Sequence, residues 1–263
     1  MKPGRLLGVG RRAEVYAWQN TEALKLFYPG ASRASVEREA EKSRIVSALG
    51  APSPKTYDVV EIDGRYGIIF EKVSGPTMQE AILGSPHRTN TLARHMADLH
   101  YAIHQIEADS LVSVHSRLER SIRDNPSLPQ EAKDKALDIL SSLPKASFLC
   151  HMDMHPKNVI LSHKGLVAID WDNACCGHSL ADVSRTLLVL SQARHHGRSV
   201  VGRKLNAVFS RIVLDAYRTR YLSLTPYQPE DLGRWMLPQA AARLNEGVTA
   251  ETSSLMRLMH NKT

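Results

Sequence analysis

A short run of polar residues between apolar segments carries the chemistry of this sequence. Residues 149–160 read LCHMDMHPKNVI and residues 166–171 read LVAIDW, which gives His151-x-Asp153, then Asn158, then Asp170 at the end of an apolar strand. Phosphoryl transfer asks three things of a protein: a carboxylate to accept or orient the hydroxyl proton, oxygen ligands for Mg²⁺, and positive charge on the phosphates. Asp153, on a loop between two strands, can meet a hydroxyl. Asn158 can turn back toward the same cavity and offer its amide oxygen to a metal. Asp170 arrives from a neighbouring strand end as a second, anionic ligand, and hard oxygen ligands suit Mg²⁺. The competing reading is a polar hairpin around a buried His151. The flanking Phe148-Leu149, Val159-Ile160-Leu161 and Ile169-Asp170-Trp171 weigh against it.

A second constellation lies near the N-terminus: Gly8-x-Gly10-x-x-Ala13, then Val15, then Lys25. G-x-G-x-x-A also occurs in dinucleotide-binding folds, where a helix starts at the glycines and an acid follows about 20 residues on. Here the glycines run into the strand-like EVYAW, and Arg33 stands where the acid should be. A glycine-rich hairpin covering phosphates fits better. Lys25 on the next strand then supplies charge to the phosphates, and Glu39 on the following helix can pair with it.

These residues need elements to hold them. Residues 5–28 alternate and turn in the manner of strands, with Gln19-Asn20-Thr21 as a turn. Apolar Val36, Ala40, Ile45 and Leu49 among charges predict an amphipathic helix over 35–49, stopped by Gly50. Strands follow at 57–62 and 66–72, joined by Asp63-Gly64. Ser74-Gly75-Pro76 breaks the pattern, and the chain beyond becomes mostly helical. The spacing predicts helices over 91–106, 115–124, 130–142, 180–192, 200–222 and 229–245, with a short β-rich island at 147–171. The expected organisation is α+β: a small antiparallel-sheet N-lobe with one main helix over 1–73, and a larger helical C-lobe over 74–263.

Composition is that of a soluble globular protein, 43% hydrophobic and 23% charged. The N-terminal residues hold no continuous apolar stretch of signal-peptide type, and no run approaches the length of a membrane helix. Cys150, Cys175 and Cys176 are odd in number and two are adjacent, a poor disulfide framework that suits a reducing cytoplasm. Cys150, His151, Asp153 and His155 lack paired zinc-ligand spacing. His100 and His104 share a helix face, but the residues between them include no Glu to act as a base, so core or interface histidines are expected. Net charge is +7. Residues 190–220 carry Arg194, Arg198, Arg203, Lys204, Arg211, Arg218 and Arg220 against Asp215, read first as a solvated basic face and second as an anion-binding surface.

The sequence resembles the aminoglycoside phosphotransferase and choline-kinase-like branch of the protein-kinase fold, nearly from end to end. The resemblance rests on the motifs above, on the LHYAIHQI segment and on Ala181-Asp182-Val183. It implies a two-lobed kinase fold with ATP in the cleft (GTP is not distinguished). It also implies Asp153 as catalytic base, Asn158 and Asp170 on Mg²⁺, a Lys25–Glu39 pair and a phosphate-covering loop at Gly8 and Gly10. Adenine would meet backbone groups around Glu71 and Val73, and Asp182 would brace the catalytic loop. Met152 stands where the family's His-Gly-Asp motif has glycine. Asp170-Trp171-Asp172 replaces the Asp-Phe-Gly of protein kinases and favours the small-molecule branch. The expected activity is phosphorylation of a hydroxyl on a small molecule such as an antibiotic, sugar or other metabolite. The basic 190–220 region points to a neutral or anionic acceptor, with no membrane partner and no preference for nucleic acid. Two alternatives are a protein Ser/Thr kinase, suggested by Lys157 beside Asn158, and a catalytically silent nucleotide-binding module, suggested by Met152.

Overall fold

The computed structural model describes residues 3–192 and 200–260. Strands β1 (Leu6–Val9), β2 (Ala13–Trp18), β3 (Glu22–Phe27), β4 (Thr56–Ile62) and β5 (Arg65–Glu71) form one antiparallel sheet in the order β1-β2-β3-β5-β4. The β4–β5 turn is Asp63-Gly64, with φ of 51° and 72°. Two central residues at positive φ match the right-handed strand twist, which is why this dipeptide closes the hairpin.

Helix α1 (Arg33–Ala48) crosses from β3 to β4 and starts at Ser32, whose hydroxyl accepts from the Ser35 N–H at 3.2 Å. Its buried stripe is Val36, Glu39, Ala40, Ser43 and Val46. That spacing follows one helix face, so the sequence puts an acid, Glu39, into an otherwise apolar seam.

The connection after β5 is pinned to the larger lobe. The Leu161 N–H donates to the Pro76 carbonyl at 2.9 Å. Gly75 has φ 141°, and a Cβ there would lie 2.1 Å from the Leu161 carbonyl oxygen. Helix α2 (Met78–Gly84) then begins at a reciprocal cap between Thr77 and Glu80. Helices α3 (Thr89–Ile103), α4 (Val114–Arg123), α5 (Gln130–Ser142), α6 (Ser179–Gln192), α7 (Val200–Ser223), α8 (Pro229–Leu244) and α9 (Thr249–His260) build the larger lobe. Between α5 and α6 run β6 (Phe148–Cys150), β7 (Val159–Ser162), β8 (Gly165–Ala168) and β9 (Cys175–Gly177), paired as β6–β9 and β7–β8. Helix α6 is the centre of this lobe, buried almost all round.

The two-lobed α+β architecture expected from the sequence is the one observed. The sequence pattern did not separate out α2, β9 or α9. Helix α3 stops at Ile103 rather than 106: the Gln105 and Ile106 N–H groups turn back to the carbonyls three residues earlier, at 3.2 and 3.1 Å, and the Ile106 carbonyl accepts the Leu149 N–H of β6 at 2.7 Å. No helix among the described residues is long and apolar enough to cross a membrane. The three cysteines are buried free thiols.

Gly75→Ala meets both a backbone clash and a left-handed φ, so it should destabilise the fold by at least about 2 kcal/mol. Gly84→Ala, where nothing lies within 4 Å of the new methyl, should stay within about 0.5 kcal/mol of wild type. Urea unfolding of both variants checks this, and equal effects would contradict it.

Candidate active site

Residues 151–158 link β6 to β7, and a buried carboxylate fixes how they turn. Asp182, four residues into α6, accepts the Met152 N–H at 2.8 Å on Oδ1. Its Oδ2 accepts the His151 N–H, His100 Nε2 at 2.9 Å and His104 Nε2 at 3.3 Å. Four donors match the lone pairs of one carboxylate. Burial works to raise the Asp182 pKa, but the charge and hydrogen bonds of His100 and His104 outweigh it and leave the group well below the usual carboxylate range. The histidines are held from behind, His100 Nδ1 by the Tyr217 hydroxyl and His104 Nδ1 by the Tyr221 hydroxyl, each at 2.6 Å. His100, His104 and Asp182 are close enough to suggest a metal cluster. With every ring nitrogen of the pair hydrogen-bonded, they form instead a complete polar brace. Burial, aided by His100, brings the His104 pKa down to about 4.

Met152 follows with φ 61° and its side chain buried in the main core. It does not stand beside Asp153 as an obstacle; what it carries is a left-handed backbone, unfavourable for a side-chain-bearing residue. His151 then ties the loop to the next strand pair. Its Nδ1 accepts the Asp153 N–H at 3.2 Å, and its Nε2 donates to the Ile169 carbonyl at 3.0 Å. One imidazole thus spaces Asp153 from the residue before Asp170. Asn158 Nδ2 donates to the Asp153 carbonyl at 2.9 Å and reaches Asp153 Oδ2 at 3.4 Å. With its nitrogen committed, the Asn158 amide oxygen is the atom left for a cation. His155 Nε2 lies 3.7 Å from Asp153 Oδ2.

Lys25 on β3 joins the two lobes. Its Nζ donates to Glu39 Oε1 and to Asp170 Oδ1, each at 2.6 Å. Glu39 is 3% exposed and Asp170 45%, so Lys25 spans from the seam under α1 to the open cleft. Burial opposes the Lys25 charge, yet the two carboxylates hold its pKa above the ordinary lysine range. Burial raises Glu39, with Lys25 only partly offsetting it. Burial also acts to raise Asp170, and there Lys25 prevails and lowers it.

The glycine-rich turn joins β1 to β2. Gly8 pairs with Val15, and the Gly10 N–H donates to the Ala13 carbonyl at 2.8 Å. Nothing of the protein lies within 4 Å of where a Gly8 Cβ would sit, so the protein's own packing does not demand the glycine. Glu71 ends β5, its N–H on the Lys55 carbonyl at 2.8 Å, and Val73 follows, half-buried in the connector.

Three site contacts had no signal in the sequence. Arg12 Nη1 reaches Asp172 Oδ2 at 2.6 Å, Lys42 donates to the Asp172 carbonyl, and Arg117 Nη2 donates to Asn173 Oδ1 at 2.5 Å. Asp172 is therefore a paired acid under the glycine-rich turn. On α7, Arg211 and Arg218 pair with Asp215 and Arg220 with Asp98, as on a solvated helical face. Arg194 and Arg198, and the side chains of Arg203 and Lys204, lie outside the described residues.

Residues 4–227 match the sequence profile of a family described as the phosphotransferase enzyme family. No curated protein matches the sequence. Among solved structures, an aminoglycoside-3'-phosphotransferase of type VIII is 17% identical, with 89% of this chain and 90% of that one covered at a TM-score of 0.59. The streptomycin–ATP–APH(2")-IIa ternary complex is 17% identical over 97% and 90%, TM-score 0.54. A choline/ethanolamine kinase family protein from Mesorhizobium loti is 15% identical over 99% and 85%, TM-score 0.54. At these identities the likeness is one of fold.

The geometry yields two stability predictions. Met152→Gly relieves about 1–2 kcal/mol of left-handed strain but removes a buried methionine side chain worth about 2–5 kcal/mol. Packing wins, and a net loss of about 1–3 kcal/mol is expected in urea unfolding; a gain would show that the loop strain dominates. The second prediction concerns acid. His104 protonates near pH 4 when folded but near 6.5 in the unfolded chain, so between those values the unfolded chain binds more protons. Stability should therefore fall as pH drops from about 6.5 to about 4, by about 3 kcal/mol from this residue. Buried His151 is lowered in the same direction. Equal urea midpoints at pH 7.5 and pH 5 would contradict this.

Proposed function

The chain belongs to the phosphotransferase enzyme family, and we propose that it moves the γ-phosphoryl group of ATP to a hydroxyl on a small molecule, with Mg²⁺. The observation that carries this reading is Lys25, held at 2.6 Å by both Glu39 and Asp170. That one contact sets a phosphate-binding cation against the acid of the Asp153–Asn158–Asp170 group. In the proposed reaction the acceptor oxygen bonds to the γ-phosphorus as the bond to the ADP oxygen breaks, and Asp153 takes or orients the hydroxyl proton.

Asp170 and Asn158 fit Mg²⁺ by donor type, a carboxylate and an amide oxygen turned to one cleft. When bound, the ion neutralises charge on the phosphates. Lys25 contacts phosphate, Glu39 keeps Lys25 extended across the cleft, and the bare backbone at Gly8 and Gly10 lets phosphate approach. Backbone groups of Glu71 and Val73 meet the base of ATP or GTP, and we place the lobe boundary there, at 73/74. The acceptor is neutral or anionic. Burial of Met152 in the core supports the active kinase over the silent module.

Asp153→Ala should lower kcat by about 10²–10⁴-fold while Mg-ATP affinity stays within about threefold. Asp170→Ala should lose Mg²⁺-dependent nucleotide binding. ADP release with pooled hydroxyl acceptors, paired with Mg-ATP titrations, reads both. Equal loss of nucleotide binding in the two variants would contradict these roles.

A further inference from the structure

On the helix that braces the catalytic loop begins a cluster that the reaction chemistry does not use. Arg185 sits one helical turn beyond Asp182 on α6 and is 3% exposed. Its Nη2 meets Glu246 Oε1 at 2.5 Å. Arg243, in the last turn of α8, reaches the other Glu246 oxygen with Nη1. It also forks onto Glu251 of α9, Nε to Oε2 at 2.8 Å and Nη2 to Oε1 at 2.9 Å. Glu246 belongs to the turn between α8 and α9, just before Gly247 at φ 67°. Arg11 of the glycine-rich turn donates to the Glu246 carbonyl at 3.3 Å, which brings that turn to the mouth of the phosphate cleft. Asp182, one turn before Arg185, holds the 151–152 backbone that leads into Asp153, so Arg185 stands on the helix that fixes the proposed hydroxyl site.

The two acids differ in kind. Glu251 is 1% exposed and forms a bidentate, enclosed pair with Arg243, a structural tie between α8 and α9. The Glu246 side chain is 35% exposed, and it follows a helix C-terminus, where the backbone dipole disfavours an anion. A half-exposed carboxylate in an unfavourable place thus covers the buried Arg185 and the partly buried Arg243. Burying a guanidinium is costly unless an anion meets it, so Arg185 requires an anion but not this one.

We propose that the acceptor carries an anionic group, a carboxylate or phosphate ester, that binds Arg185 and Arg243 in exchange for the Glu246 carboxylate. This rests on the kinase reading for the placement of the acceptor hydroxyl at Asp153. Glu246 then acts as a stand-in that keeps the arginines paired until acceptor arrives, and a polycationic acceptor is disfavoured there.

The test separates this subsite from the activity. The full chain, saturated with Mg-ADP so that the nucleotide site is filled, is titrated calorimetrically with two matched sets. One is glycerol, D-glycerate and glycerol 3-phosphate; the other is glucose, D-gluconate and glucose 6-phosphate; streptomycin serves as the polycation. Glu246→Gln should tighten binding of at least one anion at least about tenfold and leave glycerol and glucose unchanged. Arg185→Lys, which keeps charge but loses the fork, should weaken the same anion at least about tenfold. Carboxylate and phosphate members of each set tell the two anion types apart. Glu246→Asp keeps the charge on a shorter arm and should also tighten binding, which guards against a glutamine variant that merely loosens the turn. No anion bound more tightly by either Glu246 variant would overturn the subsite and leave a structural salt bridge. Streptomycin binding that depends on Glu246 would overturn it too. ADP release absent with every compound, while Glu246→Gln still tightens anion binding, would count against the kinase reading and uphold the subsite.

Discussion

Everything in the cleft is referenced to one buried carboxylate. Asp182 is fully enclosed and accepts from His151, Met152, His100 and His104. A buried carboxylate is tolerated only when its lone pairs are met, and meeting them here requires α3, α6 and the loop after β6 to hold fixed positions. The constraint runs outward from there. With the backbone at 151–152 anchored, His151 spans to the Ile169 carbonyl and sets Asp153 against the end of β8. Asp170 follows in a left-handed conformation, φ 65°, aiming its carboxylate back at Lys25. Lys25 carries the constraint into the smaller lobe through Glu39. Hydrogen bonds of Asp182 and His151 and two ion pairs on Lys25 thus join the core of one lobe to the seam of the other.

Those links differ in what can break them. The Asp182 brace has no solvent beside it, and loss of one partner would strand buried donors at about 1–3 kcal/mol each. Contacts across the cleft are more open: Asp170, Arg12 and Asp172 all have substantial solvent access, where ion pairs are worth about 0–1 kcal/mol. Under the proposed function, phosphates entering the cleft would compete with weak pairs and leave the strong brace alone. A rigid catalytic loop facing a cheaply rearranged set of surface charges is what a binding cleft between two lobes requires.

Local chemistry was legible in the sequence; the wiring was not. His151-x-Asp153, Asn158 and Asp170 stood out because their types and spacing are unusual together, and Asp63-Gly64 because only that backbone closes such a hairpin. Glu39 was visible as an acid in an apolar stripe. Helix α2 was missed although Thr77-x-x-Glu80 is a capping signature, since a seven-residue helix has too few turns to show a period. Helical spacing marked His100 and His104 as core or interface residues. It could not say that they meet Asp182, some 80 positions later, because that depends on how α3 packs on α6 and α7. Met152 shows the limit most clearly: sequence places a bulky residue beside the base, but only the backbone angle decides that it points into the core.

Charge counts mislead for the same reason. The basic 190–220 region suggested a neutral or anionic acceptor, yet its described arginines on α7 are matched by Asp98 and Asp215. The informative arginines are Arg185 and Arg243, isolated in the sequence, the first buried in the fold and the second largely so. Charge on a solvated face is screened and easily neutralised, whereas a guanidinium enclosed by protein keeps its field and demands a partner. Under the proposed subsite, acceptor charge is read from Arg185 and Arg243 and from how firmly their present partners are held. Glu251 is enclosed on Arg243, while Glu246 is open at the cleft mouth, and that difference in burial separates a structural acid from an exchangeable one.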